Sequence, residues 1–352
     1  MKKLLPNQQK HSGMQDKLNE QNPPVFILGV QRSGTTLLRL ILNSHSYIAI
    51  PEEAAFLRPI IKKKYIYNEI SGKDLKRIYN YLKNSPHYAL WNYDSSKFLN
   101  WLEMQHSISL KEFINNLYMS YAESEGKIIW GDKTPSLLRK VDLLYRLFPE
   151  AKFIHIVRDG RDVFDSRRRM DSTKDNAAVM AIEWCYKIYK TERFLELLPP
   201  SNKYTLRYED LLINPEETVK NLCGFMQVEY EPQMMDFYKK SKYYVGSHHS
   251  KLIFKPITSE NLQKWKLNLS GKEIKVLSLL AKRYLKKYGY EVDNVKLSFR
   301  DIIFLFSKIL IGFHYRLYTV FKANMLFKKA LKGKRVIFKH GKQAKPKGEK
   351  LS

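Results

Sequence analysis

Residues 25–45, VFILGVQRSGTTLLRLILNSH, set Gly29 and Gly34 around a short loop between an apolar run and a leucine-rich segment. Glycines here let the chain turn sharply and let backbone N–H groups approach a ligand closely. A helix starting near Ser33 would point its unsatisfied N–H groups and its positive dipole end back into the loop. That is an anion site before any side chain is counted. Arg32 adds a permanently charged fork, and Thr35 and Thr36 add hydroxyl donors. The spacing Gly29-x4-Gly34 is that of a Walker loop, but Thr35 stands in the place of the Walker lysine. Such a loop suits phosphate or sulfate better than ATP with magnesium, whose β- and γ-phosphates that lysine reaches.

A second stretch, FIHIVRDGRDVFDSRRRM, places Arg158 at the end of an apolar run and Ser166 near the first turn of a helix beginning about Val163. Together they can grip a second phosphate, with Arg161, Arg167, Arg168 and Arg169 adding positive field. For most of these arginines the plainer reading is a solvated face paired with Asp159, Asp162 and Asp165. A third candidate is the carboxylate pair Glu52–Glu53 in IPEEAAF, which follows the short apolar run Tyr47–Ile50. Lys133 follows another such run.

These residues need a scaffold. Strands are expected at Val25–Val30, Lys127–Trp130, Lys152–Val157 and Lys203–Arg207, each a short apolar or β-branched run with polar or glycine borders. Helical patterns alternate with them, which argues for an α/β fold with a parallel sheet covered on both faces. Helices are expected at Asn176–Leu198, Glu216–Met226, Pro232–Lys240 and Gly271–Lys287. Arg32, Lys133, Arg158 and Tyr208 each follow a strand, at the carboxyl ends where ligands of such sheets gather. Residues 58–126 read as a helical insertion, opened in part by a Ser109-x-x-Glu112 capping box. It either covers the substrate site or only packs.

The chain has 352 residues, 44% of them hydrophobic, enough for a sizeable core and unlike a disordered protein. Cys185 and Cys223 make neither a disulfide framework nor a zinc site and fit a reducing compartment. No signal peptide or anchor is expected in the polar leader, residues 1–22. The histidines show no ligand spacing, so no metal is expected. His45 and His155 read as structural, and His248 and His249 as weak candidates in a loop.

Net charge is +27, which calls for anionic partners. From Lys296 onward the chain carries 15 Lys/Arg against 2 acids, nearly half the excess. The apolar, aromatic and basic segment 296–340 is interrupted by Asp301 and Lys308 and falls short of a membrane span. It reads either as basic amphipathic helices on an anionic membrane surface or as a helix packed on the core with a solvated basic face. The location expected is cytoplasmic, including a peripheral place on the inner face of the membrane.

Two anion sites at neighbouring strand ends suit a nucleoside with phosphates on both sides. Here the chain resembles the sulfotransferases that use 3'-phosphoadenosine 5'-phosphosulfate (PAPS). QRSGTT is similar to their 5'-phosphosulfate loop and VRDGRDVFDS to their 3'-phosphate motif. GDKTPSLL, RLFPEAKFIHIVRDGR, LRYEDLLINPEE and LQKWK fall in the family's order, so the resemblance runs from about Val25 to Tyr290. It is closest to the branch with the tyrosylprotein sulfotransferases and many bacterial enzymes.

The resemblance implies a P-loop-like sheet in a domain over 23–292, with residues 293–352 as a basic extension. It implies that Arg32, Ser33, Gly34, Thr35 and Thr36 hold the 5'-phosphosulfate and that Arg158 and Ser166 hold the 3'-phosphate. Tyr208 would lie by the adenine or the 3'-phosphate, and Ser250 and Lys264 in the segment that closes on the cofactor. By the branch's Glu-Glu pair, Glu53 would be the base, with Glu52 as the alternative. Lys133 would offset charge on the bridging oxygen, with Arg32 also stabilising the transition state. Pro135 stands where the cytosolic branch has a basic His, which favours Glu. The reaction implied moves a sulfuryl group from PAPS to a hydroxyl of an acceptor such as a carbohydrate, lipid or tyrosine. It releases adenosine 3',5'-bisphosphate without metal.

Two rival readings use the same residues differently. A P-loop kinase or NTPase could take Asp132 in KIIWGD as its magnesium acid. A non-enzymatic membrane- or nucleic-acid-binding protein would explain the charge but not the ordered strand-end motifs; no nucleic acid is expected.

Overall fold

The computed structural model describes residues 22–170, 176–239, 254–292, 298–312 and 314. The strands in chain order are β1 (Val25–Gly29), β2 (Ile48–Ala49), β3 (Ile70–Ser71), β4 (Ser107–Ile108), β5 (Ile129–Asp132), β6 (Lys152–Val157) and β7 (Lys203–Arg207). Five of them form one sheet in the order β2-β5-β1-β6-β7, and every neighbouring pair in it is parallel. The longer helices are α1 (Thr35–Asn43), α2 (Gly72–Lys83), α3 (Ser96–Glu103), α4 (Leu110–Ser124), α5 (Val141–Leu147), α6 (Gly160–Arg168), α7 (Ala177–Leu195), α8 (Tyr208–Ile213), α9 (Pro215–Met226) and α10 (Gly271–Lys287). The α/β class with a parallel, helix-flanked sheet is as the sequence patterning predicts.

β1 and β6 are buried at every position, which is why they read as unbroken apolar runs rather than alternating ones. Phe26 stacks on Phe153 at 5.2 Å and meets Trp130 edge-on at 5.7 Å, tying three adjacent strands on one face. Residues 58–126 join that core: Leu75, Phe98, Phe113 and Tyr118 belong to the same buried cluster. The insertion also holds the antiparallel β3–β4 ribbon, which the helical pattern does not announce. Its capping box forms as read, with the Ser109 hydroxyl accepting from the Glu112 N–H and Glu112 accepting from the Ser109 N–H.

Several boundaries move. β1 stops at Gly29 rather than Val30, and the following helix begins at Thr35, not Ser33. β5 lies two residues later than read, and Pro232–Lys240 resolves to a 3-10 turn over Pro232–Asp236. Among the described residues the chain divides into two compact units at Asp159/Gly160, Cys185/Tyr186 and Leu262/Gln263. The five-stranded sheet lies in the first; α6 and α10 lie in the second. Among the described residues no helix is long and apolar enough to cross a membrane.

Candidate active site

The sheet order sets five strand ends in a row. Glu53 follows β2, Lys133 follows β5, the glycine loop follows β1, Arg158 follows β6 and Tyr208 follows β7. At about 4.8 Å per strand the row spans roughly 19 Å. The chain leaves β1 toward β2 and β5 on one side and later crosses to β6 and β7 on the other, so the loop sits at the reversal of strand order, where open α/β sheets bind ligands.

The loop is shaped by two left-handed residues, Arg32 at φ 76° and Gly34 at φ 87°. A Cβ on Gly34 would come within 2.2 Å of the Tyr208 ring, so only glycine fits there. Gly34 is also the N-cap residue of α1, and no side chain caps that helix. Ser33 is fully buried, and its Oγ has no hydrogen-bond partner in the protein. A buried hydroxyl left over beside a helix N-terminus matches what a bound oxyanion would satisfy.

Tyr208 and Arg158 brace the loop. The Arg158 guanidinium lies 4.5 Å over the Tyr208 ring, and its Nη1 donates to the Arg32 carbonyl at 3.1 Å. Both side chains are largely buried, at 8% and 6% exposure. The structure thus joins Arg158, Tyr208, Gly34 and Arg32 in one assembly.

On the other side of the loop, Lys133 is 1% exposed, with Nζ 2.5 Å from Glu53 Oε1 and 3.4 Å from Thr36 Oγ1. Burial holds the Lys133 amine below its ordinary pKa; Glu53 opposes that shift and Arg39 adds to it. Glu52 is engaged elsewhere: its Oε1 accepts from Nη2 of the buried Arg39 at 2.6 Å. The two adjacent carboxylates therefore have separate partners, and it is Glu53 that accepts from the lysine, which in turn reaches Thr36. Its side chain is 38% exposed, against 12% for Glu52.

A buried network that the sequence reading does not anticipate fixes this corner. The Tyr118 hydroxyl donates to Asp132 Oδ2 at 2.6 Å, and Thr134 donates to the same carboxylate from its N–H at 2.9 Å and its hydroxyl at 2.7 Å. Thr134 Oγ1 in turn accepts from the Ala54 N–H at 2.7 Å, so the residues after Lys133 and after Glu53 are bonded together. Burial pushes the Asp132 carboxyl upward and the Tyr118 phenol well upward. Thr134 was in view as part of GDKTP; Tyr118 gave no signal beyond a place on the apolar face of α4. Tyr118→Phe is expected to cost about 2 kcal/mol, since one of the donors to a buried carboxyl is lost. Chemical denaturation checks this, and an unchanged midpoint would remove Tyr118 from the network.

The remaining candidates are in the second unit or outside the described residues. Ser166 is buried on α6, and Lys264 is half-buried just before the short helix Trp265–Asn268. Ser250, His248 and His249 lie outside the described residues. Of the arginines after Arg158, Arg161 and Arg167 are buried rather than solvated, whereas Arg169 is exposed and paired with Asp165 as expected. Arg161 is 3% exposed and lies 3.8 Å over the Trp265 ring, while Arg167 pairs with Glu183 at 3.2 Å. Arg168 pairs with Glu273 at 3.0 Å and Arg169 with Asp165 at 2.8 Å. The Asp162 carboxylate accepts from the Gln263 and Trp265 N–H groups. Of the two histidines taken as structural, His45 accepts from the Tyr47 N–H at Nδ1 and donates from Nε2 to the Glu229 carbonyl, and His155 is fully buried in β6. Among the described residues no three His, Cys, Asp or Glu side chains gather as a metal ion would require.

Comparison with known proteins places the chain among relatives of one family. Protein-tyrosine sulfotransferase A of Caenorhabditis elegans is 25% identical over an alignment that covers 71% of this chain and 58% of that protein. Protein-tyrosine sulfotransferase 1 of Danio rerio is 26% identical, with coverage of 70% and 66%. The chain thus spans less than two thirds of the length of these relatives. Two solved structures share its fold. The sulfotransferase domain from the curacin biosynthetic pathway superposes with a TM-score of 0.55 at 24% identity, covering 77% of this chain and 99% of that one. The sulfotransferase domain from the Synechococcus PCC 7002 olefin synthase does so with a TM-score of 0.56 at 21% identity, covering 77% and 96%. The family profile itself matches residues 23–232, well over half the chain, and the protein belongs to the sulfotransferase family.

Proposed function

We propose that the protein transfers a sulfuryl group from PAPS to an acceptor hydroxyl, with Glu53 as general base. The observation that carries this reading is the convergence of Glu53, Lys133 and Thr36 beside the glycine loop, at 2.5 and 3.4 Å from the lysine nitrogen. The site's donor set fits such a cofactor: an unpartnered buried Ser33 hydroxyl and a loop with no room for a Cβ at Gly34. Arg32, Ser33, Gly34, Thr35 and Thr36 would hold the phosphosulfate end. Arg158 and Ser166 would hold the 3'-phosphate, with Tyr208 toward that end and Ser250 and Lys264 as further contacts.

PAPS, when bound, supplies an activated sulfuryl group. The chain's own part is to take a proton, to hold charge and to orient. Glu53, the more exposed of the two carboxylates, would accept the acceptor hydroxyl's proton. Lys133 and Arg32 would offset negative charge gathering on the departing oxygen. Lys133 is fixed for this by burial, and its contact with Glu53 keeps base and cation in one place. Two free cysteines support a reducing, cytoplasmic setting.

The kinase reading fares worse on one observation. Asp132, its magnesium acid, is fully enclosed and already takes hydrogen bonds from Tyr118 and Thr134. A thermal-shift comparison separates the two. Adenosine 3',5'-bisphosphate without metal, at a hundred times its Kd, should add about 2.7 kcal/mol of stability. A shift seen only with ATP plus magnesium would overturn the proposal. Labelled PAPS supplied to a cell extract would then identify the acceptor by what becomes labelled.

A further inference from the structure

Residues 299–312 are helical and sit in the second unit. One side of this helix is firmly seated. Its start is capped reciprocally: Ser298 N–H and Oγ donate to Asp301 Oδ2 at 3.0 and 2.9 Å, and the Asp301 N–H donates back to Ser298 Oγ at 3.2 Å. Lys275 of α10 pairs with the same carboxylate at 2.9 Å. Phe304, Leu305 and Ile309 pack against the buried cluster of Phe164, Ala178 and Leu277. Asn176 Nδ2 donates to the Lys308 carbonyl at 2.7 Å, and Gly312 lies so near Val179 that a Cβ would come within 2.0 Å of it.

The other side is unlike the outward face of a helix in water. Phe299, Ile303, Phe306 and Leu310, spaced at three and four residues, form one stripe with exposures of 76%, 54%, 61% and 58%. Ile302 and Ile311 flank it, and of the exposed positions from 298 to 312 only Ser298 and Arg300 are polar. Helical periodicity would place polar residues on this face if water covered it. In the described part of the tail, one side of the helix packs on its neighbours and the other is apolar rather than a solvated basic face.

We propose that this stripe docks on an anionic lipid surface, with the helix lying in the plane of the interface. Charge decides between occupants. From Lys296 the chain carries 15 Lys/Arg against 2 acids, which attracts an anionic bilayer and repels the same face of a second copy. A nucleic acid would be met by side chains that make phosphate contacts, and the stripe itself offers aromatic and aliphatic groups instead. The described part of the helix is about 21 Å long, and among the described residues no helix is long and apolar enough to cross a membrane. Apolar burial and basic attraction together give the two signals that stable peripheral binding needs. This proposal does not rest on the sulfuryl-transfer reading.

The test is co-sedimentation of the full chain with phosphatidylcholine vesicles, with and without 30 mol% phosphatidylserine. The expected result is binding to the anionic vesicles that weakens at 0.5 M salt. The double variant Phe306→Asp/Leu310→Asp should weaken it at least tenfold, with an unchanged thermal midpoint because both side chains face outward. Absence of binding to anionic vesicles by the wild-type chain would overturn the proposal. So would wild-type binding by the double variant, which would give the attachment to the basic tail alone. A dimer that the double variant converts to a monomer in light scattering would give the stripe to a second copy and also overturn it.

Discussion

Replacing Glu53 with glutamine is expected to lower kcat by about 100- to 10,000-fold, the range that a positioned general base contributes, while leaving affinity for adenosine 3',5'-bisphosphate nearly unchanged. Glutamine keeps the size of the side chain, and its carbonyl oxygen can still accept from Lys133 Nζ, now 2.5 Å from the carboxylate. What it loses is the capacity to take a proton. Glu53 sits at the β2 end of the row and the glycine loop at its centre, so affinity for the bisphosphate has little reason to change. Glu52 supplies the contrast. Removing it by Glu52→Ala leaves the guanidinium of Arg39, 2% exposed, without its carboxylate. Breaking a buried pair in this way costs about 3 kcal/mol or more. The two variants should therefore separate: Glu53→Gln inactive but folded, with Lys133 still hydrogen-bonded to the amide oxygen, and Glu52→Ala, which leaves Arg39 no acceptor there, losing more stability. Wild-type turnover in Glu53→Gln, measured with labelled PAPS and any acceptor found, would end the assignment of Glu53 as base.

The choice between these adjacent carboxylates shows where sequence reading reaches its end. IPEEAAF locates the pair after a strand, because Ile48–Ala49 is a short apolar run beside polar residues. Which carboxylate is available depends on Arg39, which no local pattern ties to Glu52; that is a matter of how α1 packs beside β2. The strand Lys152–Val157 was legible to the residue, since a strand buried on both faces writes an unbroken apolar run. β5 was not, for an equally physical reason. A carboxylate ends an apolar run in sequence, so the strand was read as stopping at Trp130. In the fold Asp132 belongs to the strand because Tyr118 and Thr134 satisfy it in the interior. The β3–β4 ribbon has two residues per strand, separated by most of the insertion, and no alternation long enough to read. Most of the arginines after Arg158 read as a solvated face paired with the nearby aspartates. Arg161 is buried instead under the Trp265 ring, a partner supplied by a segment about a hundred residues away.

Lys133→Met is expected to reduce kcat by about 100- to 1,000-fold, the loss seen when one preorganised charge donor is removed from a transition state. Unlike most changes at a side chain only 1% exposed, it should not cost stability. Burial lowers the pKa of this lysine, so in the folded chain the charged amine is less favourable than in water. Below its lowered folded pKa, wild-type stability carries that penalty in full. As pH rises from there toward the ordinary value of 10.5, the unfolded chain also gives up its proton and the penalty disappears. Methionine of similar length fills the same space without charge, and the Glu53 left behind is exposed enough to be solvated. The variant should thus be at least as stable as wild type near neutral pH, with any advantage shrinking as pH approaches 10.5. A site held at a cost to the fold is the pattern expected where activity and stability compete. Denaturation midpoints at neutral and alkaline pH, set beside kcat, check both halves. A midpoint that falls together with activity would make Lys133 a packing residue, and turnover at the wild-type rate would remove it from the chemistry.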